Sequence, residues 1–394
     1  MEPHAVDVLL AGGGVAAARC ARTLRRHGFG GSILLVSDEA TPPYNRPPLS
    51  KELLRDELPV DLALAEPASW YARRGVNLLL SSHVAAVDAD RRQARLADGS
   101  VVAFGQCLLA TGAAPTAPRI PGGREALLLR TLQDSARIRE AAVAGSRAVV
   151  IGGGFIGVEV AGSLAARGVS VTIVEVADAL WGGAFGNEVS DSAVDRLGAV
   201  GVQVRLGAAC ESVSSSGVRL VDEQLEADFV VAGVGVTPRV DLALVAGLEV
   251  DDGIIVDEGQ RTSAEAVFAA GDVARPRDGA RLEHWHAARE SGERAALAML
   301  GEPLPPRRAP WVFSGFAGAK LDVVGWAPRW DQIVPLLGGW AYVVSGQVAQ
   351  LAIADSQLDV ETARLLIEEK ASLESFKSVA VRDGAAAVER PEEA

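Results

Sequence analysis

The sequence predicts an α/β protein with two Rossmann-type dinucleotide-binding domains and a smaller C-terminal α/β domain. Two observations lead to this prediction. A strand, a glycine-rich turn, a helix and a second strand follow one another twice along the chain, and the sequence changes in character from about Arg307 onward. A chain of 394 residues is also too long for one ordinary hydrophobic core, so two or three domains are expected.

The first copy comprises VDVLLAGGGVAAARCARTLRRHG and the following strand in SILLVSDE. Its turn places Gly12, Gly14 and Ala17 in the G-x-G-x-x-G/A frame, which permits a tight turn and a close approach of the backbone to a pyrophosphate. The helix that follows presents N–H groups and the positive end of its dipole to the phosphates. Asp38, which closes the second strand, is predicted to bind a ribose hydroxyl.

The second copy, RAVVIGGGFIGVEVAGSLAARG followed by VSVTIVEVAD, has all three glycines of the frame, Gly152, Gly154 and Gly157. Glu175 ends its second strand, and no basic residue follows closely. Because a carboxylate there repels a 2′-phosphate, NADH is favoured over NADPH. Two such sites, with no metal cluster or nucleophile motif in the sequence, predict a relay between a bound flavin dinucleotide and a diffusing nicotinamide dinucleotide.

The remaining segments are assigned from their patterns. DRRQARLADGSVVAF predicts a hairpin, and CLLATGAAP, DFVVAGVGVTPR and AVFAAGDVAR predict strands that end in small residues. Beyond Arg307, alternating strands such as WAYVVSGQVAQLAIA precede the amphipathic helix VETARLLIEEKA. The final AAAVERPEEA is predicted to be a disordered acidic tail.

Composition and charge narrow the possible functions. The formal net charge of −13 argues against nucleic acid and against anionic membrane surfaces as partners. The longest apolar stretch, residues 148–166, contains a glycine cluster and Glu159, so it does not predict a membrane span. We see no secretory leader, and Cys20, Cys107 and Cys210 form no CxxC pair. A reduced, cytoplasmic setting is expected.

The segment YNRPPLSK, residues 44–51, follows the second strand of the first copy. Its adjacent prolines exclude a regular helix or central strand and hold two cations, Arg46 and Lys51, in a stiff loop. Arg46 either binds a cofactor or bonds backbone carbonyls of the loop. For Lys51 the choice lies between a solvated surface position and a role beside a cofactor.

In combination, these motifs resemble those of the FAD-dependent pyridine nucleotide-disulfide oxidoreductases, in particular the ferredoxin/rubredoxin reductase class of bacterial oxygenase and P450 systems. That class is also similar to apoptosis-inducing factor. The resemblance extends from about residue 6 to residue 379. The motifs that carry it are AGGGVAAA, PYNRPPLSK, LLATGAAP, LLRTLQDS, VVIGGGFIGVEVA, GVGVTPR, VFAAGDVA and LEHWHAARESGERAA.

The resemblance implies a glutathione-reductase-like fold with three domains. An FAD-binding domain, residues 1–114 and 240–308, is interrupted by an NADH-binding domain, residues 115–239. A C-terminal α/β domain, residues 309–394, covers the flavin and ends in the acidic tail from about residue 385.

The resemblance also implies two sets of binding residues. Lys51, beside the flavin ring, and Glu159, near the nicotinamide, are the expected catalytic residues, joined by an ion pair. The residues expected to contact FAD are Gly12, Gly14, Ala16, Asp38, Arg46, Lys51, Val84, Ala110, Thr111, Gly112, Arg130, Gly271, Asp272 and Trp285. Those expected to contact NADH are Gly152, Gly154, Ile156, Gly157, Glu159, Glu175, Gly235 and Glu283.

Some reactive residue types are predicted to have no catalytic role. His284 and His286 have neither a nucleophile nor metal-ligand spacing near them, so packing or rim positions are favoured. A thiol mechanism needs a cysteine facing the flavin, whereas Cys20 lies within the first helix and YNRPPLSK has no cysteine.

The chain departs from the family pattern where the family usually has Pro-Trp/Tyr-Phe-Trp-Ser-Asp-Gln. Here PWVFSGF has Phe313 in place of the tryptophan, and Gly315 and Phe316 in place of the Asp-Gln pair. In GVGVTPR, Arg239 stands where asparagine is common. The electron-exit side is therefore expected to be less polar, which leaves the acceptor open.

The predicted function is FAD-dependent NADH:ferredoxin or rubredoxin-like oxidoreductase, with single electrons passing to a small iron–sulfur protein. Arg307, Arg308, Lys320 and Arg329 form either a docking patch for an acidic ferredoxin or a solvated rim. One alternative is a stand-alone NADH oxidase or diaphorase that reduces quinones, small molecules or oxygen. Another is an NADH-sensing interaction protein like apoptosis-inducing factor. Both a monomer and a homodimer are compatible with the sequence.

Overall fold

A computed structural model describes residues 4–354 and 358–376 of the chain. The chain divides into two compact units, described separately below. The first unit comprises Met1–Pro47, Leu58–Ala114 and Val236–Pro306. The second comprises Pro48–Glu57, Pro115–Gly235 and Arg307–Ala394. The predicted acidic tail lies outside the described residues, and the three-domain assignment stays a prediction.

Within the described residues, the α-helices and strands follow in chain order. The α-helices are α1 (Val15–Arg26), α2 (Val60–Ala63), α3 (Ala68–Arg73), α4 (Leu132–Ala141), α5 (Phe155–Ala166), α6 (Gly186–Ala199), α7 (Asp241–Val245), α8 (Trp285–Leu300) and α9 (Val360–Glu368). The strands are β1 (His4–Ala11), β2 (Ile33–Val36), β3 (Val76–Leu79), β4 (Val84–Asp88), β5 (Gln93–Leu96), β6 (Val101–Leu109), β7 (Ala113–Pro115), β8 (Leu127–Leu128), β9 (Arg147–Ile151), β10 (Ser170–Val174), β11 (Gln203–Arg205), β12 (Cys210–Ser214), β13 (Gly217–Leu220), β14 (Gln224–Glu226), β15 (Phe229–Ala232), β16 (Val236–Pro238), β17 (Val250–Asp251), β18 (Gly253–Val256), β19 (Val267–Ala269), β20 (Ala274–Pro276), β21 (Trp311–Phe316), β22 (Ala319–Gly325), β23 (Gln332–Leu336), β24 (Gly339–Val344) and β25 (Gln347–Ala354).

The main sheet of the first unit has the strand order β3-β2-β1-β6-β5-β4, and β19 pairs with β6 as well. Strands β1, β2, β3, β6 and β19 are parallel, whereas β4 and β5 are antiparallel additions. The β5–β6 pair confirms the predicted hairpin. Leu9 and Leu10 on β1 are both fully buried, as expected for a parallel strand covered on both faces.

Small residues let two helices of the first unit approach closely. Helix α1 buries Ala17, Cys20, Ala21 and Leu24, a spacing that places them on one face. A Cβ on Gly292 of α8 would lie 2.2 Å from the carbonyl oxygen of Ala16, so only glycine fits there. The start of α1 is therefore held against α8. A smaller sheet, β17-β18-β20, lies in the same unit.

The second unit contains the second copy and the C-terminal sheet. Strands β11-β10-β9-β15-β8 form a parallel sheet, with α5 following β9. Strands β12-β13-β14 form an antiparallel sheet. The C-terminal strands, in the order β21-β22-β25-β24-β23, form an antiparallel sheet that contains the predicted alternating pair β24–β25. Helix α9 begins after Asp359, whose carboxylate accepts a 3.0 Å hydrogen bond from the Thr362 N–H.

Both predicted β-α-β units are thus present, as β1-α1-β2 and β9-α5-β10. In the part of the chain that the structure describes, no helix combines the length and the apolar character that a membrane crossing requires.

Candidate functional site

The glycine turn of the first unit leaves room for a phosphate group. Gly12 has φ +130°, and a Cβ there would lie 2.1 Å from the Ala110 carbonyl oxygen. Helix α1 begins after Gly14 with no capping side chain and no acidic residue in its first turn. A Cβ on Gly14 would meet no atom within 4 Å. Open space above an uncapped helix N-terminus fits the pyrophosphate of a dinucleotide.

The Gly271–Asp272 turn, which contains two predicted FAD residues, also reaches this end of the first unit. A Cβ on Gly271 would lie 3.2 Å from the Ala16 Cβ, so the Gly271–Asp272 turn lies against the start of α1. The Gly271 N–H donates a 2.9 Å hydrogen bond to Ser291 Oγ on α8. Val84, in contrast, is a buried residue of the core of this unit.

Trp285, the first residue of α8, contacts Asn45 and Arg289 within the first unit. Its Nε1–H donates a 2.7 Å hydrogen bond to Asn45 Oδ1, so YNRPPLSK contacts the EHW motif directly. The Arg289 guanidinium lies 4.4 Å from the centroid of the indole ring. His284 caps α8, because its Nδ1 accepts a 3.2 Å hydrogen bond from the Ala287 N–H. This cap gives His284 a structural role.

Asp38 lies beyond the strand that it was predicted to close. Strand β2 ends at Val36, which pairs with Ala11, just as Val174 pairs with Ile151 in the second copy. Ser37 therefore holds the position equivalent to Glu175, and Asp38 lies one residue further. The prediction that Asp38 closes the strand is wrong because the strand ends with the apolar run ILLV at Val36, and polar Ser37 stands between that run and Asp38.

Arg239 connects three of the predicted FAD residues. Its Nη1 lies 3.3 Å from Asp38 Oδ2. Its backbone N–H donates to the Gly112 carbonyl at 2.9 Å, and its carbonyl accepts from Thr111 Oγ1 at 2.8 Å. Only the contact with Asp38 depends on the arginine side chain, because the other two are made by the backbone of residue 239.

Arg46 has a carboxylate partner in its own unit. Its Nη2 lies 3.3 Å from Glu39 Oε1, and the Tyr44 hydroxyl donates to Glu39 Oε2 at 2.6 Å. These contacts fix the loop around Arg46, and an additional contact with FAD stays a prediction.

The glycine turn of the second unit has the same design. Gly152 has φ +104°, and a Cβ there would lie 2.5 Å from the Gly233 carbonyl oxygen. A Cβ on Gly157 would lie 1.9 Å from the Gly152 carbonyl oxygen, so the third glycine lets α5 approach β9. Helix α5 begins after Gly154 without a capping side chain or a first-turn acid. Ile156, the next predicted residue, is 40% exposed.

Glu175 is fixed at this second turn. Its Oε2 accepts a 2.5 Å hydrogen bond from the Gly153 N–H, and its Oε1 accepts a 2.8 Å hydrogen bond from the Ala177 N–H. The carboxylate is therefore held at the end of β10, where a nucleotide ribose is bound in folds of this kind. Gly235, with φ +107°, has open space where a Cβ would lie.

The predicted ion pair between Lys51 and Glu159 is present within the second unit. Lys51 Nζ lies 2.5 Å from Glu159 Oε2, and the two side chains are only 10% and 5% exposed. Ser314 Oγ donates to Glu159 Oε1 at 2.8 Å, and Ser50 Oγ hydrogen-bonds to Oε2. The carboxylate thus has a counter-ion and two hydroxyl donors, which offset the cost of burying its charge.

Sequence reasoning missed both serines. Ser50 lies inside PPLSK and Ser314 inside VFSGF, two motifs that were interpreted through other residues. A buried glutamate needs more partners than one lysine, and that requirement was the available signal.

The remaining predicted residues lie in one unit each. Arg130 belongs to the second unit and precedes Thr131, the N-cap of α4. Its backbone N–H donates a 3.1 Å hydrogen bond to Asp134 Oδ2. Glu283 belongs to the first unit and pairs with Arg281 at 2.5 Å. Their proposed cofactor contacts stay predictions.

The departure at PWVFSGF has a structural explanation in the second unit. A Cβ on Gly315 would lie 3.3 Å from Lys51 Cδ, so Gly315 leaves space for the lysine stem. Phe316 is buried, with its ring centroid 5.9 Å from that of Trp181. The Trp181 ring also contacts Phe155 and Phe185, and the backbone N–H of Trp181 donates to the Gly153 carbonyl at 2.8 Å. This aromatic cluster, Phe155, Trp181, Phe185 and Phe316, flanks the second glycine turn.

Nearby carboxylates offset part of the predicted basic patch. Arg308 pairs with Glu368 at 2.8 Å and with Glu361 at 3.0 Å. Lys320 Nζ lies 2.8 Å from Asp322 Oδ2. Arg329 is exposed. A strongly positive surface is therefore not formed by these residues alone.

Two of the thiols are poorly suited to catalysis. Cys20 and Cys107 are fully buried, and burial raises the pKa of Cys107 to about 12 and that of Cys20 further. Partial burial also raises the pKa of Cys210. Since the thiolate is the nucleophile, thiol chemistry at neutral pH is disfavoured. The described residues contain no group of three His, Cys, Asp or Glu side chains placed to hold a metal ion.

Comparison with known proteins identifies the family. Residues 6–292 match the model of the pyridine nucleotide-disulphide oxidoreductases. The chain belongs to this family. A probable ferredoxin reductase of Castellaniella defragrans, CtmF, is 33% identical to this oxidoreductase over 93% of this chain and 94% of its own length. The rubredoxin-NAD(+) reductase of Pseudomonas putida is 31% identical over 83% of this chain and 88% of its own.

Two solved reductase structures are similar to this chain and support the family assignment. The reductase in a covalent putidaredoxin reductase–putidaredoxin complex has a TM-score of 0.90 and 28% identity, covering 98% of this chain and 99% of its own. The ferredoxin reductase for the CYP199A2 system of Rhodopseudomonas palustris has a TM-score of 0.90 and 30% identity, covering 97% and 100%. The predicted family, fold class, enzyme class and FAD and NADH cofactors are confirmed.

Proposed function

We propose that this oxidoreductase takes reducing equivalents from NADH through FAD and passes single electrons to a small iron–sulfur protein of the ferredoxin type, in the cytoplasm. The observation that carries the proposal is the presence of two open glycine turns, each at an uncapped helix N-terminus, in one chain. We assign one turn to a resident dinucleotide and the other to a nucleotide that binds and leaves.

The second turn is the proposed NADH site. Its fixed Glu175 carboxylate can accept hydrogen bonds from the ribose hydroxyls, and it would repel the 2′-phosphate of NADPH. The first turn, with Asp38 held by Arg239 and with Gly271–Asp272 against α1, is the proposed FAD site.

FAD, when bound, supplies a centre that accepts two electrons as hydride and releases them one at a time. The protein contributes orientation and charge. Lys51, held by Glu159, would place a fixed cation near the flavin ring, where negative charge develops on reduction. Because no thiol with a low pKa stands in the described residues, the electrons are expected to leave from the flavin directly.

The nature of the relatives supports an iron–sulfur partner. They are named as ferredoxin and rubredoxin reductases, and one structural neighbour is a reductase in complex with putidaredoxin. In the proposed complex, Arg329 and residues near PWVFSGF would face the acidic partner. Because Glu361, Glu368 and Asp322 offset Arg308 and Lys320, we expect a contact with only moderate salt dependence.

The experiment is steady-state NADH oxidation by the purified FAD-loaded protein with a panel of ferredoxins, quinones and oxygen. We expect at least tenfold higher kcat/KM with one ferredoxin than with any quinone or with oxygen. Equal rates with quinones and ferredoxins would contradict the proposal and favour the diaphorase. Poor turnover with every acceptor, together with a long-lived reduced complex with NAD+, would favour the NADH-sensing protein.

The diaphorase is the second candidate because of one observation. Gly315 and Phe316 replace a polar pair, and Phe316 is buried in the aromatic cluster. The stretch that resembles the electron-exit region is therefore less polar than in the family pattern, which suits a small apolar acceptor such as a quinone.

A further inference from the structure

Arg281 is a buried arginine that joins three segments of the first unit. Its side chain is only 7% exposed. Nε and Nη2 donate to the Asp252 carbonyl and to Asp252 Oδ1, both at 3.1 Å. Nη1 donates to the Asp272 carbonyl at 3.1 Å and lies 2.5 Å from Glu283 Oε1. One guanidinium thus contacts Asp252, Asp272 and Glu283 together.

The backbone next to Asp252 is shaped for this arginine. Gly253 has φ +114°, a backbone conformation that residues other than glycine rarely adopt. A Cβ there would lie 2.9 Å from Arg281 Cδ and 2.7 Å from the Val273 carbonyl oxygen. Glycine at 253 therefore makes room for the arginine stem beside the Gly271–Asp272 turn.

Two of the three residues that Arg281 contacts have predicted cofactor roles, Asp272 through its backbone carbonyl and Glu283 through its carboxylate. Asp272 follows the Gly271 turn that lies against Ala16, and Glu283 precedes α8, whose first residue is Trp285. Partial burial raises the pKa of Glu283, Arg281 lowers it, and the charges of Asp272 and Asp252 raise it again. Arg281 is thus the cation that favours the ionised form of Glu283 against the negative charges of Asp272 and Asp252.

From this geometry we propose that Arg281 is a positioning residue that fixes the Asp272 backbone for FAD and the Glu283 carboxylate for NADH. This inference rests on the proposed function, since it needs both cofactors. Neither role requires Arg281 itself to touch a cofactor.

The planar fork of arginine is essential to this arrangement. Its separate N–H groups reach two backbone carbonyls and two carboxylates at once, whereas a lysine offers one compact ammonium group. Lysine at 281 would therefore preserve the charge beside Glu283 and lose the fixed geometry at Asp272. The two consequences can be separated by substitution.

The test compares R281Q and R281K with wild type. The first readout is the FAD dissociation constant, measured by fluorescence titration of the apoprotein. The second is the pH profile of kcat/KM for NADH. R281Q should weaken FAD binding about tenfold or more and move the acidic limb of the profile to higher pH, because Glu283 loses its cation. R281K should weaken FAD binding similarly but leave the acidic limb close to its wild-type position.

The matched control is R277Q, which removes an arginine from the same chain segment. Arg277 pairs with Glu249 at 2.6 Å, and both side chains are about half exposed. If R281Q matches R277Q in FAD affinity, or if its acidic limb does not move, the inference is overturned.

A second variant guards against misfolding of R281Q. D252A removes only the outer anchor of Arg281, and the Asp252 side chain is 62% exposed. D252A should weaken FAD binding more than R277Q does, and its effect should not add to that of R281Q. FAD affinity equal to that of R277Q would overturn the inference. Absence of FAD binding by the wild-type protein would instead contradict the proposed function itself.

Discussion

At the scale of single residues, the buried pair of Lys51 and Glu159 is the most demanding feature of the second unit. Both side chains are almost completely removed from water, so each charge depends on the other. Ser314 and Ser50 add hydrogen bonds to the carboxylate but no charge. Removal of one partner alone should therefore destabilise the fold more than removal of both.

We predict that K51M lowers the free energy of unfolding by about 3–5 kcal/mol, because Glu159 would be left as an unpaired buried charge. The double variant K51M/E159Q should recover most of this loss. Urea denaturation measures both effects. K370M, at an exposed lysine, is the control. In stopped-flow traces, flavin reduction by NADH should be slower in the stable double variant than in wild type. A rate equal to that of wild type would show that the pair has no role in the reaction.

Glu175 has a separable charge and hydrogen-bonding role. E175Q keeps an oxygen acceptor for a backbone N–H but removes the charge that repels a 2′-phosphate. We expect the ratio of kcat/KM for NADPH to that for NADH to rise about tenfold, which corresponds to ~1.4 kcal/mol. E226Q, at an exposed glutamate paired with Arg147, is the matched control. An unchanged ratio would remove Glu175 from ribose recognition.

At the scale of elements, the starts of α1 and α5 are the two positions where we propose that a nucleotide phosphate binds. A Cβ at Gly14 meets no protein atom within 4 Å, and one at Gly154 meets only the Gly233 carbonyl oxygen, at 3.9 Å. Alanine at either position would fill the space proposed for phosphate without a clash inside the protein. At Gly12 and Gly152, in contrast, the positive φ and the close carbonyls make alanine incompatible with the turn.

We therefore predict opposite effects of two alanine variants. G14A should lower the affinity of the apoprotein for FAD at least tenfold, whereas G154A should retain FAD and raise KM for NADH by a similar factor. Apoprotein melting temperatures should change little in both. G12A serves as the comparison for a disrupted turn and should lower the melting temperature. Reversed effects of G14A and G154A would exchange the nucleotide assignments.

The elements also show what the sequence could predict. The two β-α-β units were predictable because apolar strands, glycine turns and helices are local patterns in VDVLLAGGG and RAVVIGGG. The Lys51–Glu159 pair came from family resemblance, since no local pattern links residues so far apart. Ser314, Arg239 and Arg281 were not assigned their contacts, because those contacts depend on distant segments that only the fold brings together.

At the scale of the whole molecule, the cysteines distinguish a directly acting flavin from a thiol relay. Cys20 and Cys107 are fully buried with raised pKa values, and only Cys210 is partly accessible. We predict that iodoacetamide under native conditions alkylates Cys210 alone, as seen by mass spectrometry, and leaves NADH oxidation unchanged. C210S should be unmodified and equally active. If iodoacetamide inactivated both wild type and C210S, a buried thiol would be reactive, and the direct route from the flavin would be contradicted.

The aromatic cluster has a consequence for the evolutionary history of this enzyme. Phe316 is buried against Trp181, so the glutamine of the family pattern at this position would place an amide among aromatic rings. A buried amide without partners costs about 1–3 kcal/mol, which disfavours glutamine at 316 while Trp181 is in place. We therefore expect correlated substitution: relatives with an aromatic residue at 316 should carry one at 181. An alignment of relatives in which the two positions vary independently would contradict this epistasis.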